Sequence, residues 1–303
     1  MRPLPAGIPY VEARRIRYLT LICDTLLSRG ESDIESFIEL LLLKTKKLNA
    51  NLPSHTRTTG ILRSSTVAKG YIEFCKWLGW IDFDGPILLP NGYTAYISAI
   101  SGENTFRLSP EEKIGIFTNI VDKESVRIII NELRASNRIS ELRTTRTSEH
   151  FIESIFDFLV DLEILLPSQK SYGFFRLTEA GEAAVKASQR SADSLGIIQA
   201  YGTKLLKKKL RIAKRIPEKP LMRLLVRSIK KLSPSTRSQW DPNLHSALPV
   251  LLYMRLLAIK EERILLSFDN LIENVKVLST RRGFQFKWEE LSYRGYVRLE
   301  GER

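Results

Sequence analysis

Cysteine and histidine are scarce in this chain of 303 residues: Cys23 and Cys75 are the cysteines, and His55, His150 and His245 the histidines. So few, so widely separated, they give no ligand spacing for zinc, and no metal site is read. Each cysteine lies among apolar residues at a spacing that suits a buried helix face, where a free thiol behaves as a small hydrophobe. Long apolar runs are missing too. The densest, Leu40 to Leu43, falls far short of the roughly 20 residues that span a bilayer. The opening residues MRPLPAGIPYVEARR lack the apolar core of a signal peptide. The expectation is a cytoplasmic, intracellular protein with no membrane span.

Catalytic signatures are equally thin. There is no P-loop, no G-x-S-x-G, and no Cys/His pair in a convincing local context. Glu111-Glu112-Lys113 matches the Glu-x-Lys of metal-dependent nucleases in form, with Asp82 and Asp84 upstream. Pro110 and the apolar spacing that follows place this triplet at a helix start, where acids have a simpler reason to be. No catalytic residue and no cofactor is assigned, although dispersed catalytic residues leave no spacing to find.

What the chain does have is positive charge, and its placement says more than its size. The net charge is +13 with 43% hydrophobic content, enough for real cores and for two or three domains. Between Lys204 and Arg237 lie thirteen basic residues and one acid, Glu218, a net +12. A solvated charged face normally mixes signs. A single-sign concentration favours a polyanion, nucleic acid ahead of an anionic membrane surface. Within it, Leu206, Leu210 and Ala213 predict one amphipathic helix. Pro217 and Pro220 break it, and Leu221, Leu224, Leu225, Ile229 and Leu232 predict another. Lys207, Lys208, Lys209, Arg211, Lys214 and Arg215 are its candidate phosphate contacts.

A recurring pattern organises the rest. Phe151, Ile152, Ile155, Phe158, Leu159 and Leu162 repeat at helical spacing. Two short apolar runs follow, Ile164 to Leu166 and Tyr172 to Leu177, around the polar break Ser168 to Ser171, which reads as a hairpin. Thr178 then caps a new helix. Helices from Ser109 and over Lys123 to Ala135 come before. The same plan runs from Thr66 to Ser98: a stripe of Val67, Tyr71, Phe74, Cys75 and Leu78, then a hairpin about Asp84-Gly85. Leu78-Gly79-Trp80-Ile81 matches Leu162-Glu163-Ile164-Leu165 at an offset of 84. Helices near Glu12 to Ser28 and Glu31 to Lys47 precede it. A third pass has a long helix over Leu244 to Arg263, a stripe of Phe268, Leu271, Ile272, Val275 and Leu278, and strands at Phe284 to Trp288 and Gly295 to Leu299.

These residues, above all LVDLEILLPS…GFFRLTEAG over Leu159 to Gly181, resemble the winged-helix family, a helix-turn-helix variant with a hairpin wing. The resemblance implies a mostly α fold with small β-hairpins and tandem winged-helix domains: unit 1 over 1–105, unit 2 over 106–200, a basic helical linker over 201–240, and a C-terminal unit over 241–303. For the last, a third winged helix and a plain helix with a terminal hairpin both stay open. GYIEFCKWLGWIDF and FIESIFDFLVDLEILLPSQKSYGFFRLTEAG are also similar, without a family-specific motif, to the DNA-recognition half of type IIS restriction endonucleases.

The resemblance further implies that a third helix enters the major groove of double-stranded DNA while wings and helix ends hold phosphates. In unit 1, Arg63, Ser64, Ser65, Thr66, Lys69 and Lys76 suit this, against one acid, Glu73. In unit 2, Glu149, Glu153, Asp157 and Asp161 lie behind the apolar stripe, and a duplex would repel them. Only the approach Arg143 to Thr147, with Arg146, and Lys170 in the hairpin break suit phosphates, so docking of a protein partner is the alternative for this unit. The third offers Asn270, Asn274, Lys276, Thr280, Arg281 and Arg282. A DNA-binding regulator or recognition subunit, a plasmid or phage replication initiator, and a protein-interaction scaffold are the functions this leaves open. Nothing in the sequence sets the oligomeric state.

Overall fold

A computed structural model describes residues 7–9, 13–50, 61–102, 106–133, 146–167, 175–191 and 193–299. The described chain is mostly helical, with small sheets of two or three strands. It opens with α1 (Ile16–Arg29), β1 (Ser32–Asp33), α2 (Ile34–Asn49), α3 (Ser65–Leu78), β2 (Ile81–Asp84) and β3 (Ile87–Pro90). α1 starts four residues later than expected because the preceding N–H groups are taken elsewhere: those of Arg14 and Arg15 donate to Tyr71 Oη. Asp33 ends the short β1 and caps α2, accepting from the Glu35 and Ser36 N–H groups. Strand β1 pairs with β3 and gives the sheet order β1-β3-β2. The β2–β3 turn holds Gly85 at φ +58°, which is why Asp84-Gly85 marked it.

The second stretch comprises α4 (Gly92–Ile100), α5 (Pro110–Ile120), α6 (Glu124–Glu132), α7 (Arg146–Asp161), the hairpin β4 (Leu165–Pro167) and β5 (Phe175–Leu177), α8 (Glu179–Arg190) and α9 (Ser194–Leu205). Ser109 opens α5 with a capping box in which its Oγ accepts from the Glu112 N–H and the Glu112 carboxylate accepts from the Ser109 N–H. The third stretch holds β6 (Arg211–Ile212), α10 (Glu218–Thr236), β7 (Leu244–Ser246), α11 (Ala247–Leu257) with a π-helical turn at Ala258–Glu262, β8 (Ile264–Leu265), α12 (Phe268–Arg282), β9 (Gln285–Glu289) and β10 (Arg294–Arg298). β6 and β8 pair in parallel.

Two expectations fail here. The residues Leu244 to Ser246 are not the start of a long helix but strand β7, because they pair with Tyr296 to Arg298 of β10. The residues Leu206 to Ala213 are not a helix either. Lys207 turns to φ +53° just past α9, the Leu210 N–H donates to Thr203 Oγ1, and the Arg211 and Ala213 N–H groups donate to the Arg263 and Leu265 carbonyls. A long-range strand pairing thus satisfies the backbone that a helix would have satisfied locally.

With β6 and β8 set aside, the third stretch has the element order of the first: helix, strand, helix, helix, hairpin. Their strand order is also the same, β1-β3-β2 and β7-β10-β9. The helix before each hairpin ends alike: Gly79 (φ +76°), Glu163 (+56°) and Gly283 (+70°) are left-handed, followed by buried Trp80, Ile164 and Phe284. The offset of 84 extends past the four residues that revealed it. Thr94 Oγ1 donates to the Trp80 carbonyl at 2.5 Å, and Thr178 Oγ1 reaches the Glu163 and Ile164 carbonyls at 2.6 and 3.3 Å. Apolar residues from Ala13 to Leu210, joined by Leu248, Leu252, Leu256, Ile259 and Leu265, form one core, and most of the others from Ile216 to Val297 form a second; Tyr253, Phe268 and Trp288 pack on both.

Candidate nucleic-acid interface

The basic segment is anchored at intervals, which leaves its cations outside. Leu210 is buried against Gly202, where a Cβ would come within 2.7 Å of it, and the Gln199 side-chain amide donates to the Leu210 carbonyl. Ile216 is the next buried anchor. Lys207, Lys208, Lys209, Arg211, Lys214 and Arg215 are all exposed between and beside these anchors. Lys204, Arg223 and Arg227 pair with Glu179, Glu262 and Glu261. The six candidate residues, with Lys219, Lys230, Lys231 and Arg237, have no acidic partner among the described residues.

The fold brings this segment to the end of α12. Asn274 holds the junction: its Nδ2 donates to the Lys214 carbonyl at 2.8 Å and its Oδ1 accepts from the Ile216 N–H at 2.9 Å. That use takes Asn274 away from the base-reading role its sequence position suggested. Glu218, the one acid of the segment, pairs with Arg282 at 2.5 Å and with Arg281 at 3.6 Å. Lys214, Arg215, Asn270, Asn274 and Arg281 line a hollow of about 540 Å³ between the two. Arg263 was missed in the sequence. It sits left-handed at φ +57°, exposed, and its carbonyl accepts from Arg211 N–H, so it adds a cation beside β6. Reading 244–263 as one helix had hidden it.

Arg63, just before α3, and Ser65, Thr66, Lys69 and Lys76 on it are exposed as expected, with Ser64 capping the helix through the Val67 N–H. The charge of this face is more mixed than the sequence suggested. Lys69 pairs with Glu35 at 2.7 Å, the Lys76 ammonium lies 4.4 Å from the Phe83 ring centroid, and Asp82 and Asp84 are exposed on the adjoining hairpin. The opposite face of α3 packs on α7, where Phe74 lies 5.8 Å from Phe151 and 5.4 Å from Phe158, and Trp77 lies 5.1 Å from Phe151.

Helix α7 does not present a row of solvent-facing acids. Glu153 and Asp157 pair with Arg14 at 2.7 and 3.2 Å, and Asp161 pairs with Arg15 at 2.9 Å while accepting from the Ile16 N–H at 2.9 Å. With Phe151, Ile152, Ser154, Ile155, Phe156, Phe158 and Leu159 also buried, the body of α7 is enclosed by its neighbours. Burial raises the Asp161 carboxyl to about 6, against the opposing pull of Arg15 and the Ile16 N–H. Arg143 and Lys170 lie outside the described residues, and for Arg146 only its backbone, at the start of α7, is described.

The Glu-x-Lys triplet is distributed over three unrelated ion pairs: Glu111 with Lys260 at 2.8 Å, Glu112 with Arg17 at 2.6 Å, and Lys113 with Glu163 at 2.6 Å. Lys260 holds the Glu111 carboxyl below its usual range. Burial would raise that of Glu112, but Arg17 and the Gly102 and Ser109 N–H groups hold it down. Cys23 and Cys75 are both free and buried, as expected from their spacing. Among the described residues no three His, Cys, Asp or Glu side chains are grouped to hold a metal ion, and no helix is long and apolar enough to cross a membrane. Comparison with protein-family models, with curated proteins and with solved structures finds no match to this chain.

Proposed function

We propose that this protein binds double-stranded DNA through tandem winged-helix units and acts as a regulator or as the recognition component of a larger assembly. The observation that carries the reading is the run of exposed cations from Lys207 to Arg215, unpaired among the described residues, whose last two, Lys214 and Arg215, line one hollow with Arg281. Such a surface releases counterions when it meets a phosphate backbone. The shared element order and strand order of the first and third stretches supports the winged-helix assignment, since a strand between the first two helices that joins the outer edge of the hairpin is that fold's arrangement.

The roles divide along the same lines. The basic segment holds phosphates, with no base preference. Arg63, at the approach to α3, and the exposed face of that helix read bases. Helix α7, whose body is largely buried against its neighbours, serves as the internal support that sets α3 in place. Titration of the full chain against random duplex, single-stranded DNA and RNA at two salt concentrations tests the reading. The duplex should bind tightest, and its affinity should fall steeply with salt.

A further inference from the structure

A cleft of about 880 Å³ opens where the three stretches of the chain meet. Its lining includes Tyr93 after the first hairpin, Asp122 and Lys123 between α5 and α6, and Arg255, Phe268 and Tyr293 from the third stretch. Arg255, on α11, is only 6% exposed, and its Nε donates to the Leu266 carbonyl at 3.0 Å. Its two terminal nitrogens have no hydrogen-bond or ion-pair partner among the described residues. Asp122 and Asp269 influence it through space without pairing, and burial pulls its pKa below the usual arginine value. The terminal nitrogens face the cleft with little water around the rest of the side chain, and an anion that fits the fork would supply the partners they lack.

The rest of the cleft narrows the anion. Lys123, Arg255 and Arg294 are balanced by Asp82, Asp122 and Asp269, so the site as a whole is close to neutral. A polyphosphate backbone gains little there, and a dianion approaching Arg255 meets Asp122 and Asp269. A planar monoanion needs only the fork. Tyr93, Phe268 and Tyr293 supply aromatic walls. We propose that this cleft binds a small aryl carboxylate, with its carboxylate on the terminal nitrogens of Arg255 and its ring against Tyr93, Phe268 and Tyr293. The walls come from both the second and the third stretch, so the ligand would tie the two together. The inference stands independently of nucleic-acid binding.

Calorimetric titration of the full chain with phenylacetate, indole-3-acetate, phenethylamine and inorganic phosphate tests it. At least one of the two carboxylates should saturate below about 10 mM, a range suited to fragment-sized ligands. Phenethylamine should not bind, and phosphate should bind at least about tenfold more weakly. Asp122 is exposed, and D122N removes a repelling charge, so it should tighten the carboxylate several-fold. R255K should weaken it about tenfold or more, because an ammonium lacks the fork. If R255K does not fold, D122N decides alone. Absence of saturable binding by either carboxylate, phosphate binding as tight, or an affinity unchanged in D122N would overturn the proposal.

Discussion

Asp161, the last residue of α7, accepts the backbone N–H of Ile16, the first residue of α1, at 2.9 Å. One carboxylate thereby helps fix where the first helix begins and ties it to a helix of the second stretch. Its other oxygen takes the Arg15 guanidinium.

This carboxylate gives stability an unusual pH dependence. Its native pKa, about 6, lies above the unfolded value of roughly 4 because burial disfavours its charged form. The protonated form therefore favours the native state. That contribution is present below about pH 4 and is lost as pH rises through about 6. The Asp161 contribution to stability should fall by on the order of 1–3 kcal/mol between pH 4 and 7. D161N keeps an acceptor for the Ile16 N–H and has no proton to lose. Urea unfolding of both proteins from pH 5 to 7 should show the wild type losing stability relative to D161N as pH rises. Parallel pH profiles would show that the carboxyl titrates normally.

Gly181 makes a second, sharper prediction. A Cβ at that position would lie 2.0 Å from the Ile164 carbonyl oxygen, a backbone atom that cannot swing away. Thr178 caps α8 through the Gly181 N–H and also donates to that hairpin backbone, so the approach is fixed at both ends. G181A should destabilise by about 1–3 kcal/mol through the forced shift. A G181A midpoint equal to the wild type in chemical denaturation would show that α8 sits further from the hairpin.

The Gly181 case also shows what the sequence could disclose. A Thr with a Gly three residues on, a stripe repeating every three or four residues, and Asp-Gly between apolar runs are local signals, and the elements they imply are present. The docking of Arg14 and Arg15 on α7 joins residues about 140 positions apart, with no periodicity to betray it. Read alone, Glu153, Asp157 and Asp161 looked like a solvated face. The stretch Leu206 to Ala213 failed for a related reason. Its apolar spacing fits a helix, but the left-handed turn at Lys207 and pairing with residues near Ile264 decide its course. Of the candidate interface, the cations were legible, while their junction with α12 through Asn274 and Glu218 was not.

The packing of α3 on α7 predicts energetic coupling between the first two stretches of the chain. F74A and F151A should each cost about 3–5 kcal/mol. The double mutant should cost less than their sum by roughly 0.5–1.5 kcal/mol, since the rings stack. Strict additivity in a denaturation cycle would indicate that α3 and α7 do not share a core.

Arg63 distinguishes reading from holding. If it contacts a guanine edge, R63A should lose about 1–3 kcal/mol and relax the preference at one position of the site. Selection from random duplexes, run with both proteins, should return a motif for the wild type and a degenerate position for R63A. The same motif at equal stringency would place base reading elsewhere.

The central claim is that the unpaired cations of the basic segment meet the phosphates of duplex DNA. It is tested most directly by the slope of log affinity against log salt for a labelled random duplex. The wild type and the variant K207Q/K208Q/K209Q/R211Q are titrated side by side by fluorescence anisotropy. These four side chains are exposed and have no acidic partner among the described residues, so the variant should fold normally. The account predicts tight, steeply salt-dependent binding by the wild type and a slope flatter by up to roughly three to four phosphate equivalents in the variant. An unchanged slope, or no duplex binding by the wild type at low salt, would contradict it.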